Sequence, residues 1–156
     1  MSDSSPRRQV FIPSVIYKDQ RAALKWLEAA FGFEPSEVLT DAQGKIAHAE
    51  MSFGDGVIMV GSEWPAWDWC KSPASTGGKN TQRIHVRVEH DIDQHCARAK
   101  AAGAIIEMEP ADQFYGDRTY LAMDPEGHHW TFAQPVKNVS VEDMEKTSGL
   151  KFKKLS

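Results

Sequence analysis

The feature that most constrains this chain is that it says the same thing twice. Residues 10–61 read as strand, helix, strand, strand, strand, and residues 83–134 read the same way. Asp19 and Asp91 occupy matching helix-cap positions, Gly32 and Gly103 matching helix stops, and Gly54-Asp55-Gly56 matches Pro125-Glu126-Gly127 as the last turn. A repeat of this size is a duplicated supersecondary unit. Neither copy can bury a core alone, because one helix covers one face of a short sheet. The two βαβββ modules are therefore expected to pair, within one chain or by swapping between subunits. Pairing would curl an α+β fold into a cup, with helices outside and polar sheet faces inside.

The elements follow from period and punctuation. Residues 10–17 are almost wholly apolar and predict a strand covered on both faces. Asp19 caps a helix over residues 20–31, with Leu24, Leu27 and Phe31 as its buried stripe. Short strands are expected at 37–40 and 57–61. Residues 46–53 alternate, with Ala47, Ala49, Met51 and Phe53 on one side and His48, Glu50 and Ser52 on the other. In the second copy a strand is expected at 83–89. Its polar face carries Arg83, His85 and Arg87. A helix follows from Asp91, with Ile92, Cys96, Ala99 and Ala102 in period, then a strand at 104–108.

The hairpin at 115–134 is the strongest local signal. Asp124-Pro125-Glu126-Gly127 separates two alternating runs. Thr119, Leu121 and Met123 are expected to share a face with Trp130 and Phe132. Arg118 and Tyr120 are expected to share the other with His129 and Thr131. That polar side is the candidate site.

Between the copies, residues 62–82 hold Pro65, Pro73, Gly77 and Gly78 without any period. They also hold Trp64, Trp67 and Trp69, whereas an ordinary linker is polar. Three readings stay open for the tryptophans: docking on a neighbouring subunit, docking on the chain's own sheet, or a flap that stacks on a ligand.

Composition excludes several classes. With 41% hydrophobic residues in 156, the chain can bury a core. A net charge of −4 opposes nucleic-acid binding, and the basic tail at 151–154 is too short to reverse that. No apolar run reaches membrane-spanning length. Residues 1–8 lack the apolar stretch of a signal peptide and read as a flexible start. Cys70 and Cys96 make no disulfide framework, which points to a reducing, cytoplasmic setting. Cys96 reads as a small buried hydrophobe. His90 and His95 read as solvated, and His128 as a turn or interface residue pointing away from the cup. Residues 135–156 form a C-terminal extension, with a short helix capped at Ser140 and a frayed end from Gly149.

The duplicated module, and above all Asp124-Pro125-Glu126-Gly127-His128-His129-Trp130, resembles the vicinal oxygen chelate superfamily of glyoxalase I, bleomycin-resistance proteins, fosfomycin-resistance enzymes and extradiol dioxygenases. Tyr115-Gly116-Asp117-Arg118 followed by that turn is most similar to its glyoxalase-like branch related to the phosphonate-operon B protein. The resemblance covers residues 10–134, read as one domain. It implies a cup-shaped site, usually completed by homodimerisation. It also implies metal ligands on the first and last strands of each module. Here those positions offer His85, Thr131, Ile12 (or Pro13) and Val60 (or Met59), a poor set for a metal with about three protein ligands.

The expected ligand-binding set is His48, Glu50, Trp67, Trp69, Arg83, His85, Tyr115, Arg118, Tyr120, His129 and Thr131. The arginines suit a carboxylate, phosphate or electron-rich ring. Alternatively they pair with Glu107, Glu109 or Asp117. His48 and Glu50 either bond each other or a ligand, or join His85 and His129 around zinc, iron or nickel. The leading expectation is a small-molecule binding protein, taking an aromatic or anionic ligand, with no metal and no other cofactor. The alternative is a metal-dependent lyase, isomerase or dioxygenase, or a metal-free enzyme with Glu50 or His129 as general base. A third reading is an interaction module with a filled cup.

Overall fold

A computed structural model describes residues 9–153. The expectation for residues 1–8 falls outside the described residues. The chain divides into two compact units, with the boundary between Lys79 and Asn80. Each unit is one βαβββ module, as the duplication requires. Among the described residues, no helix is long and apolar enough to cross a membrane.

The first unit contains β1 (Ser14–Tyr17), α1 (Gln20–Phe31), β2 (Glu34–Thr40), β3 (Ile46–Phe53) and β4 (Gly56–Ser62), with sheet order β1-β4-β3-β2. Asp19 accepts a hydrogen bond from the Ala22 N–H at 2.9 Å, so α1 starts where its first free amides find a side-chain acceptor. It stops at Gly32, whose φ of 73° is left-handed, and whose N–H returns to the Glu28 carbonyl. Leu27, Ala30 and Phe31 are fully buried against one face of the sheet, beside Val15, Tyr17, Ala49, Met51 and Val60. Phe33 extends this core, with its ring 5.5 Å from Phe31 and 5.3 Å from Phe53.

β1 is shorter than its apolar run suggested. Val10 and Phe11 are exposed, and pairing begins at Ser14 opposite Met59. Hydrophobicity alone therefore did not mark the strand; the parallel ladder to β4 sets its start. β2 is longer than expected, beginning at Glu34 because β3 extends far enough to pair it there.

The second unit contains β5 (Ile84–Arg87), α2 (Ile92–Ala101), β6 (Ile105–Asp112), β7 (Asp117–Met123) and β8 (His129–Pro135), ordered β5-β8-β7-β6, then α3 (Val141–Ser148). Asp91 adopts φ 46° and accepts from the Gln94 N–H at 3.1 Å. Asp tolerates that left-handed conformation better than most side chains because it can bond locally. Ile92, Cys96 and Ala99 are buried. Ser140 caps α3, and Gly149 closes it in a left-handed C-cap, at the residue from which the frayed end was expected.

The β7–β8 turn corrects the expected faces. The Asp124 N–H donates to the His128 carbonyl and the Gly127 N–H to the Asp124 carbonyl, so the loop proper is Pro125-Glu126-Gly127, with Gly127 at φ 91°. Met123 therefore lies opposite His129, and Tyr120 opposite Phe132. Reading the turn as four residues shifts this pairing by one. A slip of one residue sends every side chain of a strand to the other face. Tyr120, Ala122, Trp130 and Phe132 are buried on the α2 side; His129 and Thr131 point away from it.

The chain after β8 is set by one glycine. The Gly116 carbonyl accepts both the Val136 and Lys137 N–H groups. A Cβ on Gly116 would lie 2.1 Å from the Lys137 carbonyl oxygen, and its φ is 102°.

Candidate functional site

The open face of the first sheet, opposite α1, is built by alternation. Val15 and Tyr17 of β1 and Val60 of β4 go inward, which leaves Ser14, Ile16, Met59 and Gly61 outward. On β3, Ala49 and Met51 go inward and His48 and Glu50 outward. Glu50 is registered with Met59, so the three strands present one continuous floor.

Over this floor lies the tryptophan-rich segment. Together they enclose a cavity of about 130 Å³ lined by residues that include Ser14, Ile16, His48, Met59, Gly61, Trp64, Trp67 and Cys70. Gly61 keeps the floor low, since a Cβ there would meet Ile16 Cδ1 at 2.8 Å. The volume suits one ring-sized group, well below the space that a whole drug-sized molecule fills.

The segment is braced rather than loose. The Trp67 N–H donates to the Trp64 carbonyl and the Cys70 N–H to the Trp67 carbonyl, two successive turns. The fully buried Ser72 donates its N–H to the Glu63 carboxylate at 2.9 Å. Hydrogen bonds from the Ser75 side chain and the Ser72 backbone hold the Glu63 carboxyl below its usual range. Trp67 stacks on Trp69 at 5.5 Å and 24°, and Trp64 lies 6.2 Å from Trp67. Lys45 Nζ sits 6.0 Å from the Trp64 ring centroid, within cation–π range.

His48 Nε2 and Glu50 Oε1 are 3.0 Å apart, each side chain about one-quarter to one-third exposed (34% and 25%). His48 is the member of this couple that lines the cavity, with Glu50 holding its ring from beside it.

In the second unit the open face of the sheet holds His85, Arg87, His129 and Thr131. His85 is registered with Thr131 and Arg87 with Ala133. His129 Nδ1 is 2.5 Å from the Glu107 carboxylate. Arg118 and Tyr120 leave this group. Arg118 reaches Asp93 on α2 at 2.9 Å and Asp112 at 3.0 Å, different partners from those expected. The Tyr120 hydroxyl is 2.7 Å from His95 Nδ1, and burial pushes its pKa well up. His95 is thus a packed residue, 4.6 Å from the Phe132 ring, and not a solvated one. Its place one residue before Cys96, at the margin of the buried stripe, was the available signal. Tyr115 is exposed at the β6–β7 loop and meets Phe114 edge-to-face at 5.2 Å.

The structure thus brings together His48, Glu50 and Trp67 in one unit, and His85, His129 and Thr131 on one face of the other. Trp69 backs Trp67 and is 78% exposed. Sequence reasoning missed Ser14, Ile16, Met59, Gly61 and Cys70 as cavity residues, and gave Trp64 only as part of a flap that could stack on a ligand. For Ser14, Ile16, Met59 and Gly61, alternation along β1 and β4 carried that information.

The family model described as "Glyoxalase/Bleomycin resistance protein/Dioxygenase superfamily" matches residues 10–132. The chain belongs to that superfamily. An uncharacterized protein of Mycobacterium tuberculosis is 31% identical to this superfamily member over 135 residues, covering 85% of this chain and 78% of the relative. Among solved structures, TioX from Micromonospora sp. ML1 is 32% identical, with a TM-score of 0.62, covering 81% of this chain and 98% of TioX. TnmS3, an antibiotic binding protein from Streptomyces sp. CB03234, shares the fold at 21% identity and a TM-score of 0.60, covering 81% of this chain and 95% of TnmS3.

The metal positions of the superfamily's metalloenzymes do not fit the donors present here. His85 faces a Thr131 hydroxyl across β5 and β8, and Val60 is buried on the α1 side. Among the described residues, no group of three or more His, Cys, Asp or Glu side chains could hold an ion.

Proposed function

We propose that this superfamily member binds a small molecule by a planar aromatic group, without a catalytic metal. One observation carries the reading: a ring-sized cavity walled by Trp64 and Trp67 over a floor of Ile16, Met59 and Gly61. Stacking and apolar area supply affinity, and the His48–Glu50 couple orients a polar substituent. Trp67 comes pre-stacked on Trp69, which lowers the ordering cost of binding. That TnmS3 is an antibiotic binding protein makes planar antibiotics sensible first probes.

The test is tryptophan-fluorescence titration with a panel of planar aromatics, in wild type and Gly61→Leu. Saturable quenching that Gly61→Leu abolishes, with the fold intact by circular dichroism, is the expected result. Quenching that persists in Gly61→Leu overturns the assignment of the cavity.

A second reading is favoured by the 3.0 Å His48–Glu50 contact. A carboxylate held beside an imidazole on a cavity wall can remove a proton from a bound carbon or oxygen acid. His129, held by Glu107, is the corresponding base in the second unit. Turnover lost in Glu50→Gln, with ligand affinity retained, identifies this reading. We further propose a homodimer in a reducing, cytoplasmic setting. Free Cys70 and Cys96 and the exposed Val38 and Leu39 on edge strand β2 support it. Sedimentation velocity checks the dimer.

A further inference from the structure

We propose that the cavity of the first unit selects rings that carry a hydrogen-bond donor, and that Gln20 makes the selection. The inference rests on the aromatic cavity assigned above and adds the chemical class that fits it. β3 and β4 are paired only between Glu50 and Phe53 on one strand and Gly56 and Met59 on the other. Beyond that, β4 continues to Ser62 beside β1, and β3 runs from Ile46 beside β2. The cavity occupies the opening between them, with Ala47 and Ala49 on one side and Val60 and Ser62 on the other. Where a ladder ends, its last carbonyls need donors from elsewhere.

Gln20 supplies one. It is the first residue of α1, only 9% exposed, and its Nε2 donates to the Val60 carbonyl at 2.7 Å. A carbonyl can only accept, so this bond fixes which way the amide faces. Oε1 remains as an acceptor, and among the described residues no donor meets it. Among those residues, too, no fully buried side-chain oxygen or nitrogen lacks a partner. Oε1 is therefore not sealed in, and since Gln20 lines the cavity, the oxygen opens into it. His48 adds to the same bias. With Glu50 accepting from Nε2, the neutral ring keeps Nδ1 as a second acceptor. No Lys or Arg among the described residues lines the cavity to compete for these groups. An acceptor so nearly stripped of water rejects a ring that cannot donate to it. Phenols, anilines, indoles and lactams donate; pyridines and halobenzenes do not.

The experiment adds phenol, aniline, fluorobenzene and pyridine in turn to the nitrogen-labelled full chain, followed by NMR. Saturation of the Trp67 indole signal reports entry into the cavity. Phenol and aniline are expected to bind about tenfold or more tighter than fluorobenzene and pyridine. They should also shift the Gln20 side-chain amide signals, which the other two leave in place. Gln20→Met, folded by circular dichroism, should bring all of these rings within about threefold of one another. Equal affinities in the wild type overturn the donor rule and leave the aromatic cavity standing. A preference that survives Gln20→Met belongs to another acceptor and overturns the role of Gln20. If no ring saturates the Trp67 signal, the cavity assignment falls and this inference with it. Should Gln20→Met fail to fold, the wild-type amide signals still decide, because equal shifts with fluorobenzene and phenol overturn the proposal.

Discussion

Asp124 and Trp130 are joined by a hydrogen bond inside the second unit: Asp124 Oδ2 accepts the indole N–H at 3.1 Å, with the two residues only 2% and 1% exposed. The other carboxylate oxygen accepts the Glu126 and His128 N–H groups, both at 3.0 Å. One side chain therefore closes the turn and satisfies a buried donor. Asp124→Ala removes the acceptor of the buried Trp130 N–H and of two turn amides. The expected cost is about 2–4 kcal/mol. Urea denaturation followed by circular dichroism checks it. A loss below about 1 kcal/mol would mean that the turn is held by other contacts, such as the Asn80 bridge to Gly127 and His129.

Trp67 and Trp69 should separate in function. Trp67 lines the cavity, while Trp69 supports it from behind. Trp67→Ala should weaken aromatic-ligand binding about tenfold or more, whereas Trp69→Ala should cost only a few-fold, through lost pre-organisation. Both rings are more than half exposed, so folding stability should change little. Isothermal titration with the best fluorescence hit measures the two losses side by side.

Acid should loosen the tryptophan segment before it unfolds the chain. Hydrogen bonds from Ser75 and Ser72 depress the Glu63 pKa. A carboxyl whose folded pKa is lowered stabilises the folded form fully above its unfolded value. That contribution is lost as pH falls through the lowered folded value. The brace should therefore hold at neutral pH and weaken only below the ordinary carboxylate range, near pH 4. Tryptophan emission followed down a pH series should show an early transition that Glu63→Gln removes. An acid profile identical in Glu63→Gln would show that other carboxylates govern it.

Arg118 and Tyr120 should be silent in binding. Tyr120→Phe removes the hydroxyl bonded to His95 and should cost about 1 kcal/mol of stability. Neither Tyr120→Phe nor Arg118→Ala should change the affinity for an aromatic or an anion, because both side chains lie on the α2 side of the sheet. A loss of affinity in either, with the fold intact, would contradict the observed register.

These two residues also show how far the sequence could be read. The duplication, α1, the Asp91 cap and the polar side of β3 were all legible, because each depends on local period or a local cap. Within β7 and within β8 the alternation was also correct. The phase between the strands was not, since it depends on whether the turn holds three or four residues, and Asp-Pro-Glu-Gly permits either. Hydrogen bonds from the Glu126 and His128 N–H groups to the Asp124 carboxylate decide it, and nothing in the alternating pattern encodes them. The cavity was half legible for a similar reason. His48, Glu50 and Trp67 stand out by chemistry. Ser14 and Gly61 matter by position, and position follows from the parallel β1–β4 ladder.

The missing side chain at Gly116 reaches further than its own loop. Because the backbone at 136–137 rests where a methyl group would have to go, the route taken by everything downstream, α3 included, hangs on an absence. Putting even alanine there would evict the strap from its seat. An alanine scan of this chain would then record, at the β6–β7 loop, a shift of the distant backbone at 136–137 out of proportion to one added methyl group.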